Sequence, residues 1–261
     1  MSNYSIVITT FDKRFEKWLK PLVLAIKQLR PNIEIILMVN GRANESFNET
    51  FRSEILQFAS LTPNTFVNMF NSFQSLAKMW NRGVLTASNE QCLVLNDDLT
   101  VPTDLGSGQS IFDQLDALTQ TTQATETFRL NGSFSHFVIS KKELLEVGFF
   151  DERLLGIGEE DGDFYWRYYQ HYQKEIPSID VTGILQPQPE NGVLTQDSDD
   201  GFKKGVRHYS QFNREFIKNE KYQRALIGGY KGMFDHRVKS LLPDEKQYPY
   251  EAFYQQRKNE L

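Results

Sequence analysis

The sequence predicts an α/β fold with a mostly parallel central sheet, and three observations predict it. Short apolar runs rich in β-branched residues (YSIVIT at 4–9, IEIILMV at 33–39, QCLVL at 91–95) have strand length and little polar alternation, as strands buried on both faces do. Segments with apolar residues at helical spacing separate them, so strand and helix alternate along the chain. The 261 residues, 39% of them apolar, suffice for one large domain with a sizeable core.

Each element follows from local chemistry. After the first strand, Trp18, Leu19, Leu22, Val23, Ile26 and Leu29 recur at helical spacing, and Pro21 must lie in that helix's first turn or break it. Ile33 to Val39 is the second strand. Ser46-x-x-Glu49 reads as a capping box for a helix running to about Ser60. Thr65 to Met69 is a short strand. Ser72 to Ala87 is a helix that Gly83 weakens. Gln91 to Leu95 is the third clear strand, and Ile111 to Leu118 a short helix. Phe134 to Ile139 is a strand, followed by the capping box Ser140-x-x-Glu143 and a helix stopped by Gly148. Asp161 to about Lys174 is helical and very aromatic. Residues 183–205, rich in Gly, Pro and Asp, read as a long loop. Ser210 to Leu226 is the last good helix.

Composition removes several functions. A net charge of -5 with no long basic run argues against a nucleic-acid binder. The single Cys92 sits in an apolar run, so a disulfide framework or cysteine metal site is excluded. The first residues, MSNYSIVITTFDKR, do not read as a signal peptide, and no apolar stretch nears the roughly 18 residues of a membrane span. The expected compartment is the cytoplasm. The 20 Phe and 11 Tyr are too many to leave exposed, so much of the core must be aromatic.

Two acidic constellations carry the chemistry. LVLNDDLTVP (93–102) ends a buried strand in Asn96, Asp97 and Asp98. Ligands of open α/β sheets bind beyond such strand ends. Adjacent carboxylates repel unless a cation or donors satisfy them, and oxygen sites of this kind suit Mg²⁺ or Mn²⁺. An ordinary Asn/Asp turn is the competing reading. GFFDERLLGIGEEDGDFYWR (148–167) places Glu159, Glu160, Asp161 and Asp163 beside Gly156, Gly158 and Gly162. A solvated acidic helix start is the bland alternative. Gly156-Ile157-Gly158 permits close backbone approach, but it follows no good strand, and acids stand where a phosphate would bind. A dinucleotide fingerprint is therefore rejected.

These motifs, in this order, resemble the GT-A glycosyltransferases, chiefly the large family 2 group. The opening SIVITTFDKR, Asn81-Arg82-Gly83 before the metal strand, NDD in place of DxD, and Gly148-Phe149-Phe150-Asp151-Glu152 running to Glu160-Asp161-Gly162-Asp163 with Arg167 carry the resemblance. GIGEEDGD also resembles the GWGGEDDD loop of β-1,4-galactosyltransferase-like enzymes. The resemblance covers about residues 4–170. It implies a GT-A domain over 1–205, Rossmann-like, with a helical C-terminal extension over 206–261 packed on it. It implies an inverting, metal-dependent transferase that takes a nucleoside-diphosphate sugar, a UDP-sugar foremost, to a glycan or lipid-linked acceptor in surface-polysaccharide synthesis. Asp98 would hold Mn²⁺ or Mg²⁺, with His208 either a second ligand or only the residue at which the last helix is entered. Asp161 would be the base, and Glu160 would hold donor or acceptor hydroxyls. At helical spacing Asp161 and Asp163 cannot face one point, so Asp163 is expected to serve structure by pairing with Arg167, four residues on. Thr10, Phe11, Arg14, Asn40, Lys78, Asn81 and Asp97 would line the donor pocket. The first acid of DxD is Asn96 here, and Asn40 stands where relatives often place an Asp, so the base of the nucleotide stays open.

Other readings stand beside this one. A sugar-phosphate nucleotidyltransferase uses a similar sheet, but TTFDKR lacks its glycines. A non-catalytic nucleotide- or sugar-binding module on the same scaffold is the third. His136 and His171 read as structural. Lys203, Lys204 and Arg207 meet either the diphosphate or solvent. YKGMFDHRVKSLL (230–242) either packs on the domain or makes a peripheral contact with the inner membrane face. Oligomeric state is not legible.

Overall fold

A computed structural model describes residues 3–41, 48–104, 106, 108–119, 126–184 and 209–221. His208, Lys203, Lys204, Arg207, His236, most of the 183–205 segment and all of YKGMFDHRVKSLL lie outside the described residues. The chain divides into two compact units. The first holds residues 1–73, 82–143 and 176–188; the second holds 74–81, 144–175 and 189–261.

All seven strands of the described residues belong to the first unit and form one sheet. They are β1 (Tyr4–Thr10), β2 (Ile35–Val39), β3 (Thr65–Met69), β4 (Gln91–Asn96), β5 (Phe128–Leu130), β6 (Ser133–Ser140) and β7 (Ser178–Ile179). Their order is β3-β2-β1-β4-β6-β5-β7. The four strands β3, β2, β1 and β4 run parallel, whereas β6 runs antiparallel to β4. The mixed end begins at β6, a strand the sequence announces without its direction; the strands too short to announce themselves are β5 and β7 beyond it. Every residue of β1 and β2 is buried, which is why both read as unbroken apolar runs. The chain winds outward from β1 to β3, then returns to the other side of β1 for β4. The strand order therefore reverses between β1 and β4, where an open sheet leaves a crevice at its carboxyl edge.

The helices meet the expectations with local adjustments. Helix α1 (Lys20–Leu29) carries Pro21 in its first turn, where no intrahelical donor is lost. A wide π-type turn, closed by the Lys20 amide donating to the Phe15 carbonyl, precedes it. Helix α2 (Glu49–Leu61) starts at Asn48 instead of Ser46: the Asn48 side chain accepts the Phe51 amide at 3.1 Å. Ser46 of the expected capping box lies outside the described residues. Helix α3 (Leu76–Thr86) begins later than predicted. Its Gly83 is a close-packing residue: a Cβ there would lie 2.4 Å from Val7 Cγ1 and 3.0 Å from Met38 Cγ. What looks like a weak helix position lets the helix settle on β1 and β2. Helix α4 is Ile111–Thr119 and α5 is Lys141–Val147. At the start of α5 only half of the capping box forms: Ser140 Oγ accepts the Glu143 amide at 3.3 Å, while the Glu143 carboxylate accepts the Thr127 amide at 2.6 Å.

The second unit is held by rings. Trp80 meets Phe150 edge-on at 5.0 Å, Phe150 stacks on Phe164 at 4.4 Å, and Tyr168 follows, tilted against Tyr172. Phe150, Phe164 and Tyr168 lie wholly inside, as the aromatic content demanded. Helix α6 (Glu160–Tyr172) supplies three of these rings. A last helix, α7, covers 209–216 and runs into a π-type turn at Ile217–Lys221.

Candidate active site

In the first unit the carboxyl edge of β1 and β4 gathers four of the predicted residues. Thr10 ends β1, and Arg14 lies in the tight turn that follows, Asp12–Arg14. Asp97 and Asp98 turn the chain after β4. The Thr10 hydroxyl donates to Asp97 Oδ2 at 2.7 Å, and Arg14 Nε donates to Asp97 Oδ1 at 2.7 Å. Arg14 also reaches Asp98 Oδ2 at 2.7 Å. One guanidinium therefore answers the mutual repulsion of the two acids.

The two carboxylates are not equivalent. Asp97 is buried and both its oxygens are engaged; burial pushes it up to about 6 although Arg14 and Thr10 pull it down. It stays ionised at neutral pH. Asp98 has 31% of its side chain exposed, and its Oδ1 accepts nothing from the described residues. The Arg14 guanidinium lies 5.6 Å from the Phe11 ring centroid. The Asn40 amide donates to the Thr10 carbonyl at 2.8 Å, which sets Asn40 at the adjoining strand end. Gly41 follows, with Ser72 backbone where its Cβ would be.

The remaining predicted residues lie in the second unit. Lys78 is buried in the first turn of α3. Asn81 is buried and spends its amide on the loop after α5: Nδ2 donates to the Phe150 carbonyl at 2.9 Å and to Glu152 Oε1 at 3.0 Å, and Oδ1 accepts the Phe150 amide at 3.0 Å. The Asn-x-Gly pair thus has two packing tasks in this chain, Asn81 fixing that loop and Gly83 seating the helix on the sheet.

The acid-rich segment divides sharply. Glu160 and Asp161 open α6. Glu160 is buried and accepts the Gly158 amide at 2.5 Å; burial, then the neighbouring Asp161 charge, lifts it to about 8. Asp161 is half-buried and accepts the Gly162 amide at 2.8 Å; burial raises it too. Glu159 precedes them with φ 74°, a left-handed conformation uncommon for a non-glycine residue.

Asp163 does something else. It is fully buried, accepts Arg167 Nε at 2.9 Å and Lys221 Nζ at 2.6 Å. The same Lys221 Nζ lies 2.7 Å from Asp151, which Arg153 grips with two further bonds of 2.8 and 2.7 Å. Burial alone would raise both carboxyls, but Lys221, joined by Arg167 at Asp163 and by Arg153 at Asp151, outweighs it and holds both below the usual range. Arg167 completes the network by donating to the carbonyls of Val147, Gly148 and Phe149.

Sequence reasoning missed Asp151, Arg153, Lys221 and Asn213. Lys221 sits 58 residues from Asp163 in a stretch, NEKYQR, that reads as a solvated helix end. No local pattern marks it. Asp151 stands within the Gly148–Glu152 motif, which points to no partner for it. His136 is buried in β6 beside the Ser135 hydroxyl, 2.8 Å from Nδ1, and His171 packs edge-on to Tyr172. Among the described residues no cluster of three or more His, Cys, Asp or Glu side chains is spaced to cage a metal alone.

Residues 104–188 match the sequence profile of glycosyltransferase like family 2. No curated protein is similar enough in sequence to count as a match. Among solved structures, S. aureus TarS superposes with a TM-score of 0.53 at 14% identity, covering 85% of this chain and 47% of TarS. Glucosyl-3-phosphoglycerate synthase from Mycobacterium tuberculosis, solved with Mn²⁺, UDP and glucosyl-3-phosphoglycerate, gives 0.51 at 13% identity, covering 80% of this chain and 78% of its own. A mannosyltransferase from Pyrobaculum calidifontis, solved with GDP-Man and Mn²⁺, gives 0.52 at 9% identity, covering 73% and 58%. The chain therefore spans about half the length of TarS. At such identities the likeness is one of fold, and that fold is GT-A.

Proposed function

We propose that this chain carries an inverting, metal-dependent glycosyltransferase, moving a sugar from a nucleoside-diphosphate sugar, a UDP-sugar foremost, to a hydroxyl of a glycan or lipid-linked acceptor. The observation that carries this reading is the Asp97–Asp98 pair at the β1/β4 reversal, in a fold and with a family match that are those of glycosyltransferases. Mn²⁺ with UDP or GDP-Man in two structural neighbours supports the donor class.

The residues fit a divalent ion in one respect. Asp98 offers a partly exposed oxygen, and Mg²⁺ or Mn²⁺ sites of this type take one or two carboxylates and complete their shell with phosphate and water. When bound, the ion offsets charge developing on the leaving diphosphate. His208 is a second proposed ligand. Thr10 and Arg14 keep Asp97 ionised and fixed. Phe11, Arg14 and Asn40 border the proposed nucleotide pocket; Lys78 is a proposed donor residue, and Asn81 would act only indirectly, through the Phe150–Glu152 loop that its amide holds.

The proposed base is Asp161. Its raised proton affinity suits it to take the acceptor's hydroxyl proton as that oxygen attacks the anomeric carbon and the bond to diphosphate breaks. A base separate from the leaving group implies inversion. Glu160, protonated at neutral pH, donates to a sugar oxygen. The proposed setting is surface-glycan synthesis at the inner membrane face; no described helix is long and apolar enough to cross a membrane.

The test is a thermal shift with UDP, GDP, dTDP and CMP, with and without Mn²⁺. One nucleoside diphosphate should stabilise the protein in a Mn²⁺-dependent way, and Asp98→Ala should lose that dependence and all turnover while keeping its melting temperature without ligand. Full turnover in EDTA would remove the metal from the mechanism. Metal-independent stabilisation with no donor hydrolysis would leave a binding module.

A further inference from the structure

The segment carrying Glu160 and Asp161 has little regular structure of its own before α6; the Leu76 amide of α3 donates to its Gly156 carbonyl at 2.8 Å, and α7 supplies most of its remaining partners. Asn213 is buried and bonds three times to the loop: its Oδ1 accepts the Leu155 amide at 2.8 Å, and its Nδ2 donates to the carbonyls of Leu155 at 2.9 Å and Gly158 at 2.7 Å. The Ser210 hydroxyl donates to Glu159 Oε1 at 2.9 Å, and Arg214 Nε donates to the same oxygen at 2.6 Å. Gly156 and Gly158 hold positive φ angles of 57° and 118°. A Cβ on Gly156 would lie 2.2 Å from the Tyr209 ring, and one on Gly158 2.9 Å from Ser210 Cβ. The glycines therefore admit α7, the role that sequence reading had left to a ligand.

The far end of the same helix is anchored by charge. Lys221, with no exposed side-chain surface, bridges Asp151 and Asp163. Removing one partner of such a buried cluster leaves an uncompensated charge, so the end of α7 has one favourable register.

We propose that α7 is the template of the acid loop, with Asn213 and Lys221 as positioning residues: Lys221 consigns Asp151 and Asp163 to structure, and the helix so placed holds Glu159 in its strained conformation and presents Glu160 and Asp161. The functional consequence rests on the reading of Asp161 as the base; the positioning itself does not. Neither Asn213 nor Lys221 touches a reacting atom in this arrangement. Their loss acts on loop geometry first and on turnover through it.

Hydrogen exchange of the full chain, read peptide by peptide, tests this with Lys221→Met and Asn213→Ala. Exchange over residues 155–163 should rise at least about tenfold, since each variant removes bonds worth more than that factor in local opening. Peptides from β1 and β4 should be unchanged. If Lys221→Met fails to fold, Asn213→Ala carries the same test, because it removes the clamp and no charge. Unchanged exchange over 155–163 in a folded variant overturns the inference, and so does a uniform rise that includes β1 and β4. Steady-state kinetics then separate the two readings: a fall in kcat with donor KM preserved is expected if Asp161 is the base. A loosened loop with wild-type kcat would keep the template and overturn the base.

Discussion

Glu160 and Asp163 lie within one turn of the same helix and both are buried, yet their protons behave in opposite ways. Asp163 meets Lys221 and Arg167 and is held low; Glu160 meets a backbone amide and the Asp161 charge and rises to about 8. Burial is common to both, so burial does not decide. The cations decide: Lys221, Arg167 and Arg153 stand at Asp151 and Asp163, while the Arg214 guanidinium is spent on Glu159, not on Glu160. The run of acids is thereby sorted into a structural set and a reactive set, and environments that push neighbouring carboxyls apart mark acid–base roles.

The largest expected effect breaks the structural set. Asp163→Asn leaves Lys221 and Arg167 facing one buried carboxylate fewer, and removing a partner from a buried ion cluster costs about 3–5 kcal/mol. The melting temperature should fall by several degrees or more while the surviving folded fraction keeps its turnover per molecule. A well-folded, inactive Asp163→Asn would shift the reactive set by two residues.

Next comes the reactive set. Asp161→Asn keeps shape and loses basicity. Turnover should drop about 10²-fold or more, the usual worth of general base catalysis, with nucleotide-dependent stabilisation and melting temperature near wild type. If turnover survives, the acid loop is not the base and the inverting mechanism falls with it.

The first unit was largely legible because its signals are local. Burial of β1 and β2 on both faces leaves apolar runs, helical period survives in α1 and α4, and a buried strand ending in Asp97–Asp98 stands out against them. The misses were short or non-local. Strands β5 and β7 of three and two residues carry no periodicity. The Asn48 cap of α2 was overlooked because Ser46-x-x-Glu49 offered a fuller capping pattern two residues earlier. The pairing of Arg14 with both acids was invisible, although Arg14 itself was placed at the pocket, because turn geometry sets its reach. In the second unit the acids were visible, and so was the pairing of Asp163 with Arg167 four residues on; the completion of their sorting was not. That depends on Lys221 and Asn213, which arrive from far along the chain with no motif around them.

The smallest expected effect sharpens the comparison through pH. Glu160 is lifted from about 4.5 to about 8 on folding, so between these values the native chain holds a proton that the unfolded chain has lost. Stability must then fall as pH rises across that window and level off above it. Asp151 and Asp163 act with the opposite sign, their stabilisation being lost only as pH falls below the ordinary carboxylate range. His136, lowered by burial, also has the opposite sign near its ordinary 6.5. Between about pH 7 and 8, Glu160 is accordingly the group whose contribution declines most. Glu160→Gln keeps an oxygen for the Gly158 amide and cannot ionise. Its melting temperature should exceed wild type at pH 8, match it near pH 5, and show a flatter slope between. Equal slopes in the two proteins would mean that Glu160 is already ionised at neutral pH, and it would then compete with Asp161 for the part of base. Turnover separates them: Glu160→Gln should retain far more activity than Asp161→Asn, because a neutral amide still donates where a protonated carboxyl did.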